Sequence, residues 1–194
     1  AIVDKFRAVV RQRPDVRTQD PDVRINIHIF KNTCTVSLDS SGSSLHQRGY
    51  RILTNIAPIN EVLAAGLLLH GGWDGNTDFL DPMCGSGTFL VEAAMIACNI
   101  PPNINRESYA FMHWKDYDAE LHQKIVDASL KKTREFHHKI IGYDKAPSAV
   151  RKSQENVENA NLSAYISIER KDFFYTEKPI DGKLFMMFNP PYGE

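Results

Sequence analysis

The sequence predicts an α/β fold in which a parallel, doubly wound sheet follows a smaller unit containing a β-hairpin. Two observations support this prediction. From residue 77 onward, short predicted strands alternate with longer predicted helices. Before residue 40, two short segments alternate apolar and polar residues, which is typical of an antiparallel pair. We expect the boundary between the two units near residues 40–50, around a connector rich in serine and glycine.

The N-terminal unit is predicted to contain one short helix and one hairpin. Helical turns are expected within residues 4–12. Isoleucines alternate with polar residues over residues 23–29, which predicts a half-buried strand. A turn at Lys31-Asn32 leads into a second alternating segment, residues 34–38, so the two strands are expected to form a hairpin.

The larger unit is predicted to begin with a helix over residues 59–70. Pro58 suits the first helical position, and Gly71-Gly72 follow the last. Beyond this helix, strands and helices alternate at the spacing typical of parallel crossovers. The predicted strands span residues 77–81, 139–143, 165–170 and 183–188. The predicted helices span residues 88–99, 119–138 and 147–161.

Composition indicates an ordinary globular protein and excludes several other classes. The 194 residues are 42% hydrophobic and 24% charged, unlike disordered chains, collagen or coiled coils. The longest apolar run, residues 62–69, is far too short for a membrane span, and no secretory signal pattern is visible. Three cysteines without CxxC or zinc-site spacing predict reduced thiols, no metal and a cytoplasmic location.

Charge is distributed unevenly along the chain. Residues 1–51 contain nine Lys/Arg and five Asp/Glu, while the remainder contains fourteen and nineteen, so the net charges are +4 and −5. One interpretation is that the basic front end contacts phosphates of a nucleic acid. The other is an ordinary solvated surface with chance clustering. Composition leaves both open.

Residues 81–88, Asp-Pro-Met-Cys-Gly-Ser-Gly-Thr, join a predicted strand to a helix and are called the glycine turn below. Two glycines allow close approach of a ligand to backbone N–H groups at a helix N-terminus. A Walker phosphate loop is excluded because no Gly-Lys-Ser/Thr follows, and the dinucleotide pattern is incomplete because Leu90 replaces its third glycine. An S-adenosylmethionine pocket and a purely steric tight turn remain as interpretations. Cys84 is interpreted as a small packing residue.

Acidic residues follow two other predicted strands. Asp144 ends the strand 139–143, where a carboxylate can accept both hydroxyls of a ribose; the alternative is a helix N-terminal cap. Asp172 and Phe173 follow the strand 165–170. There, a carboxylate can bind an adenine amine while the phenyl ring packs on the base.

Residues 189–192, Asn-Pro-Pro-Tyr, follow the last predicted strand. Two prolines make the turn rigid and leave the Asn189 side-chain oxygen and the Pro190 carbonyl as acceptors. Together they can bind both protons of a planar NH₂ group, on whose plane Tyr192 can stack. Such binding localises the nitrogen lone pair toward a methyl donor, so no strong base is required. A simple proline turn is the structural alternative.

With these motifs the chain resembles class I S-adenosylmethionine-dependent methyltransferases that act on amino nitrogen. Residues 45–51, Leu-His-Gln-Arg-Gly-Tyr-Arg, and Ala57-Pro58-Ile59 make it similar to the bacterial 23S rRNA guanine-N2 methyltransferase family. The resemblance implies a Rossmann-like catalytic domain over residues 43–194. It implies that residues 1–42 are the C-terminal part of an RNA-binding THUMP domain of the α+β class.

The resemblance also implies a role for each motif. The glycine turn would hold the methionine portion of S-adenosylmethionine, Asp144 the ribose, and Asp172 with Phe173 the adenine. Catalysis is expected from Asn189, Pro190 and Tyr192, which would position the guanine amino group of 23S rRNA. The expected cofactor-binding residues are Pro58, Asp81, Met83, Cys84, Gly85, Ser86, Gly87, Thr88, Asp144, Lys145, Asp172, Phe173 and Asn189.

Two departures from the family pattern predict that the sequence is a fragment. Residues 1–40 match only the tail of a THUMP domain, and the later strands of a class I sheet are missing after Glu194. Other substrates remain as alternatives: adenine N6 in DNA or RNA, or a glutamine amide in a release factor. A non-catalytic RNA-binding module is the alternative from another class.

Overall fold

The computed structural model describes residues 2–17, 21–51 and 58–191. The chain divides into two compact units. The smaller comprises residues 1–43 and 108–117, and the larger comprises residues 44–107 and 118–194. Because residues 108–117 belong to the smaller unit, its chain is discontinuous, and each unit is described separately.

The smaller unit contains the predicted helix and hairpin. Helix α1 spans Ile2–Val10, and strands β1 (Arg24–Phe30) and β2 (Thr33–Asp39) pair antiparallel. The hairpin prediction is therefore confirmed. The prediction of a half-buried strand is wrong, since every residue of β1 is exposed, including Ile27 at 59%. A two-stranded ribbon buries a face only under a second layer, and no described residue of this unit provides one.

The connector after β2 is held by its own hydrogen bonds. Asp39 Oδ1 accepts from the backbone N–H groups of Ser41 and Gly42. The backbone carbonyls of Ser40 and Ser41 then accept from residues of a short 3-10 helix, Ala110–His113. These bonds attach the internal segment 108–117 to the end of the hairpin.

The larger unit is a four-stranded parallel sheet with helices. Its strands are β3 (Asp78–Asp81), β4 (Ile140–Asp144), β5 (Ile166–Arg170) and β6 (Leu184–Met186), in the order β5-β4-β3-β6. All three pairings are parallel, which confirms the predicted fold class. The helices are α2 (Glu61–His70), α3 (Thr88–Ala97), α4 (Ala119–Leu130) and α5 (Pro147–Asn159), with a 3-10 helix at Phe173–Tyr175.

Helix α3 lies at the centre of the core. Nine of its residues are buried, and it packs against β3, β4, α2 and α5. Trp73 donates from Nε1 to the carbonyl of Ala93 at 2.9 Å and packs edge-on against Phe79. Gly142 in β4 leaves room for Leu90, since a Cβ at this position would collide with the Leu90 side chain. The absent side chain therefore lets α3 approach the sheet closely.

Helices α3 and α5 end two residues before the predicted residues 99 and 161, and the differences at α2 and α4 have identifiable causes. Helix α2 begins at Glu61 rather than residue 59, because the Asn60 side chain caps it by accepting from the N–H groups of Val62 and Leu63. Helix α4 ends at Leu130 rather than residue 138. Beyond Leu130 the chain turns so that the Arg134 side chain donates to the carbonyls of Ala97 and Asp74.

Within residues 2–17, 21–51 and 58–191, no helix is long and apolar enough to cross a membrane. The same residues contain no cluster of three or more His, Cys, Asp or Glu side chains arranged to hold a metal ion. Cys34, Cys84 and Cys98 all carry free thiols, the first exposed and the other two buried.

Candidate functional site

A cavity of about 730 Å³ lies at the carboxyl ends of the four parallel strands. Its volume falls within the range of about 300–1,000 Å³ that is typical of small-molecule sites. Thirteen residues that the sequence singled out line it: Pro58, Asp81, Met83, Cys84, Gly85, Ser86, Thr88, Asp144, Lys145, Asp172, Phe173, Asn189 and Pro190. Gly87 does not line the cavity, and Tyr192 lies outside the described residues. The structure therefore brings motifs from all four strand ends to one space.

The glycine turn is held by two bonds to other elements and by one bond within the turn. The N–H of Cys84 donates to the carbonyl of Tyr143 at 2.8 Å, which attaches the turn to β4. From α5, Asn156 Nδ2 donates to the carbonyl of Ser86 at 3.0 Å. Asp81 Oδ1 accepts from the N–H of Met83 at 3.1 Å. The turn is thus held in place by bonds within the protein itself.

Gly87 shapes the turn from behind the cavity. Its φ of 82° lies in the left-handed region, and a Cβ there would lie 2.5 Å from Ser153 Oγ. Gly87 is also the N-cap position of α3, and it offers no side-chain acceptor to the first turn of the helix. The first-turn N–H groups therefore remain available for an anionic ligand group at the positive end of the helix.

Asp144 connects the end of β4 to the glycine turn. One carboxylate oxygen accepts from the N–H of Gly85 at 3.0 Å, and the other accepts from the N–H of Ala146 at 2.9 Å. Helix α5 is capped at Ala146 without a side-chain bond, so Asp144 is not its N-cap residue. A carboxylate has about four acceptor positions, so about two remain on Asp144 for hydroxyl groups.

Burial controls the protonation of two groups in the turn. Burial raises the pKa of Asp81 to about 8; the N–H of Met83 opposes the rise and the charge of Asp144 adds to it. Burial also raises the pKa of the Cys84 thiol far above its ordinary value. Cys84 Sγ lies 3.8 Å from Ser153 Oγ. These features favour a packing role for Cys84 over a nucleophilic one.

Asp172 and Phe173 form the next wall of the cavity. Asp172 Oδ1 accepts from the N–H of Phe174 and so caps the 3-10 helix. Among the described residues, no hydrogen bond to Asp172 Oδ2 is observed. The Phe173 ring packs at 6.0 Å from Phe188, which directly precedes Asn189. This ring contact joins the wall after β5 to the strand end after β6.

Asn189 and the two prolines form the last wall. Asn189 is half-buried, Pro190 and Pro191 are exposed, and all three line the cavity. The strand that leads to them is held by the N–H of Met187, which donates to the carbonyl of Leu80 at 3.2 Å. The motif therefore lies beside the glycine turn of the neighbouring strand.

Several residues that line the cavity belong to none of the predicted motifs. Lys152 lies one helical turn after Ser148 on α5, and both line the cavity. Helical periodicity from the start of α5 could have identified Lys152. Lys171 precedes Asp172 directly, and its ammonium packs over the Tyr143 ring. No spacing rule in the sequence indicated that contact.

Comparison with known proteins assigns both regions of the chain. Residues 48–194 match the family described as RMKL-like, methyltransferase domain, and residues 1–39 match the THUMP domain. A relative from Marinomonas sp. (strain MWYL1), named Ribosomal RNA large subunit methyltransferase K/L, is 40% identical over 202 residues. The match covers 100% of this chain and 28% of the relative, so the chain spans less than a third of that protein.

Two solved structures are similar over the whole chain and about half of their own length. The structure of SMU.472 complexed with SAH has a TM-score of 0.86 and 32% identity, and 51% of it is covered. A predicted N6-adenine-specific DNA methylase from Listeria monocytogenes str. 4b F2365 has a TM-score of 0.87 and 30% identity, with 50% covered. Because the family match extends over most of the chain and includes every wall of the cavity, this chain belongs to the RMKL-like methyltransferase-domain family.

Proposed function

We propose that the protein transfers a methyl group from S-adenosylmethionine to the exocyclic N2 amine of a guanine in 23S rRNA. The observation that carries this proposal is the shared cavity. The glycine turn, Asp144 and Asp172, which suit the cofactor, line the same space as Asn189 and Pro190, which suit an acceptor amine. Donor and acceptor sites that share one cavity are what direct group transfer requires.

The residues of the cavity fit the methyl donor. The free acceptor positions of Asp144 suit the two ribose hydroxyls, and the uncapped first turn of α3 suits the carboxylate of the methionine portion. Asp172 with Phe173 offers a carboxylate and an aromatic ring to the adenine. When bound, S-adenosylmethionine supplies a sulfonium methyl group whose bond to sulfur breaks as the bond to the amine nitrogen forms.

Asn189 and Pro190 act on the acceptor amine. Their two oxygens accept from both N–H groups of the amine, which draws its lone pair out of conjugation with the ring and directs it into the cavity. Tyr192, which lies outside the described residues, is assigned the role of stacking on the base that carries the amine. The amine loses one proton after transfer, and solvent accepts it. To enter the cavity, the target base leaves any helix in which it is stacked.

The RNA substrate is supported by three further observations. Residues 1–39 match the THUMP domain, which serves RNA binding, and the front end of the chain is basic. The similar protein from Marinomonas is named for methylation of large-subunit ribosomal RNA. An rRNA substrate also places the protein in the cytoplasm.

Adenine N6 is the second candidate acceptor. The similar Listeria protein is described as an N6-adenine-specific DNA methylase. Adenine N6 and guanine N2 are both planar exocyclic amines, so Asn189 and Pro190 would bind either in the same way. Discrimination between guanine N2 and adenine N6 therefore depends on contacts other than those of the Asn189 and Pro190 oxygens.

Labelled S-adenosylmethionine offered to the full-length protein tests the proposal. Unmodified 23S rRNA, DNA and a release factor are supplied separately, and any label is mapped by digestion and mass spectrometry. Label at a guanine N2 of 23S rRNA is expected. Label on adenine or glutamine would retain the chemistry and replace the substrate. No label on any of them, with cofactor still bound, would favour the non-catalytic module.

Asn189→Ala tests the role of the amide. We expect transfer to fall at least 100-fold while S-adenosylhomocysteine affinity changes less than threefold, because the amide binds the acceptor. Asn159→Ala, at the exposed end of α5 and away from the cavity lining, is the matched control. Turnover of Asn189→Ala equal to that of the control would remove the proposed role.

A further inference from the structure

A buried guanidinium connects two walls of the cavity. Arg51 Nη2 donates to the carbonyl of Ile59 at 2.9 Å and to Thr88 Oγ1 at 2.6 Å. Ile59 and Thr88 both line the cavity, whereas Arg51 does not. Ile59 lies just before α2, and Thr88 is the first residue of α3. One nitrogen of Arg51 therefore holds the wall before α2 against the end of the glycine turn.

A carboxylate on α2 holds this guanidinium in place. Arg51 Nε lies 3.4 Å from Glu61 Oε1, and the two side chains are only 12% and 4% exposed. Arg51 Nε and Glu61 Oε2 are both buried without a hydrogen-bond partner among the described residues, so the two side chains meet as an ion pair only. A buried carboxylate with one unsatisfied oxygen is costly to keep. The pair is therefore better explained by the geometry it imposes than by stability alone.

We propose that Arg51 is a positioning residue for the methyl donor, which sets the distance between the Pro58–Ile59 wall and the glycine turn and is itself oriented by Glu61. The inference rests on the proposed function, since the ligand of this cavity is taken to be S-adenosylmethionine. Arg51 acts through Ile59 and Thr88, because these two residues line the cavity and Arg51 itself does not.

The planar fork of arginine is what this position uses. Nε faces Glu61 while Nη2 faces Ile59 and Thr88, so one rigid group serves an ion pair and two hydrogen bonds in different directions. A lysine keeps the positive charge opposite Glu61 but carries one compact nitrogen on a flexible stem. Arg51→Lys therefore keeps a positive charge beside Glu61 but loses the hydrogen bonds that position Ile59 and Thr88 in the cavity walls.

The neighbouring pair of Arg48 and Glu92 provides a matched control. Arg48 Nε lies 3.4 Å from Glu92 Oε1, with exposures of 7% and 2%. Arg48 belongs to the same segment as Arg51, and Glu92 lies one turn after Thr88 on α3. Neither residue lines the cavity. Arg48→Lys thus perturbs an ion pair of similar distance and burial whose carboxylate lies on the helix of Thr88, while neither member of the pair lines the cavity.

The test compares both lysine variants in the full-length protein by calorimetric titration with S-adenosylhomocysteine, steady-state kinetics and thermal unfolding. We expect Arg51→Lys to weaken affinity and raise KM for S-adenosylmethionine tenfold or more, with kcat within threefold. We expect Arg48→Lys to change the affinity and the KM by less than threefold. The two variants are expected to have similar Tm values. Equal affinities of the two variants, or an affinity loss that only follows a lower Tm, would overturn the proposal.

A second variant and a second readout separate this inference from the proposed function. Arg51→Gln combined with Glu61→Gln removes both charges together, and amide hydrogen exchange of residues 58–63 is measured without ligand. Faster exchange than in Arg48→Gln with Glu92→Gln is expected; equal exchange would overturn the positioning role. Absence of S-adenosylhomocysteine binding by the unmodified protein would instead overturn the proposed function.

Discussion

Asp144 accepts a hydrogen bond from the backbone N–H of Gly85 at 3.0 Å, although the two residues are 59 positions apart in the chain. The bond joins the end of β4 to the glycine turn after β3. The residue proposed to hold the ribose therefore also fixes the turn proposed to hold the methionine portion. Two adjoining parts of the proposed cofactor site therefore depend on one carboxylate.

Asp144→Ala is expected to weaken S-adenosylhomocysteine binding at least tenfold in calorimetric titrations. The substitution removes the ribose acceptors and releases Gly85. A hydrogen bond to a charged group contributes about 1.5–3 kcal/mol, and about 1.4 kcal/mol corresponds to a tenfold change in affinity. Asp181→Ala, at an exposed position that does not line the cavity, serves as the control. Unchanged affinity of Asp144→Ala would contradict the ribose assignment.

Gly87→Ala is expected to destabilise the protein more than a glycine substitution elsewhere with similar φ. Gly182 has a φ of 92° and nothing within 4 Å of a built Cβ, whereas a Cβ at Gly87 would meet Ser153 Oγ. The loss of stability in Gly182→Ala therefore measures only the cost of a left-handed backbone conformation for alanine, which is about 1–2 kcal/mol. Gly87→Ala should cost at least about 1 kcal/mol more in urea unfolding. Adding Ser153→Ala should recover part of that excess, and equal costs of the two single variants would refute the steric argument.

The raised pKa of Asp81 predicts that the free energy of unfolding depends on pH in a specific way. Burial raises its pKa to about 8 in the folded protein, whereas an aspartate in the unfolded chain ionises near pH 3.9, an approximate reference value. The folded state therefore binds the proton more tightly. The stability that this proton contributes is fully present below about pH 4 and is lost as pH rises through about 8.

Asp81→Asn removes this pH-dependent contribution because an amide stays neutral while its oxygen can still accept from Met83. Relative to the unmodified protein, the free energy of unfolding of Asp81→Asn should rise by about 1 kcal/mol or more between pH 6 and pH 9. Urea unfolding at both pH values measures the difference. Parallel pH profiles of the two proteins would show that Asp81 ionises normally.

Arg134→Ala is expected to lower stability through the end of α3. Arg134 Nε donates to the carbonyl of Ala97 at 2.6 Å, and Nη2 donates to that of Asp74 at 2.9 Å. The loss of both bonds from an exposed side chain should cost about 1–2 kcal/mol in urea unfolding. Lys132→Ala, which removes a nearby exposed cation, should cost less than about 0.5 kcal/mol. Equal losses of stability in the two variants would mean that the hydrogen bonds from Arg134 to the two carbonyls do not stabilise the protein.

Local sequence patterns predicted the sheet because its strands and the helices between them can each be recognised from a short stretch of sequence. Residues 77–81 contain the apolar pair Phe79-Leu80, residues 139–143 are mostly apolar, and β3 and β4 lie there within one residue. The cavity residues followed from the rule that carboxyl ends of parallel strands meet at one edge. Asp81, Asp144 and Asn189 share that edge in the structure.

The features that local patterns missed depend on distant partners. Helix α4 stops early because Arg134 finds carbonyls 37 and 60 positions away. The exposure of Ile27 depends on whether a second layer covers the hairpin, which alternation cannot encode. The contacts of Arg51 with Ile59 and Thr88 likewise join chain segments that no periodicity relates.

The position of β3 between β4 and β6 determines when the cavity can exist during folding. Phe79 pairs with both Ile140 and Phe185, so two long loops must close before β3 is in register with both of its neighbours. Pairings of such high contact order form slowly, and their loop-closure entropy is spent before any side-chain packing compensates for it. The cavity walls meet only after both loops have closed, so the ability to capture a nucleoside ligand would be among the last properties that a refolding chain acquires.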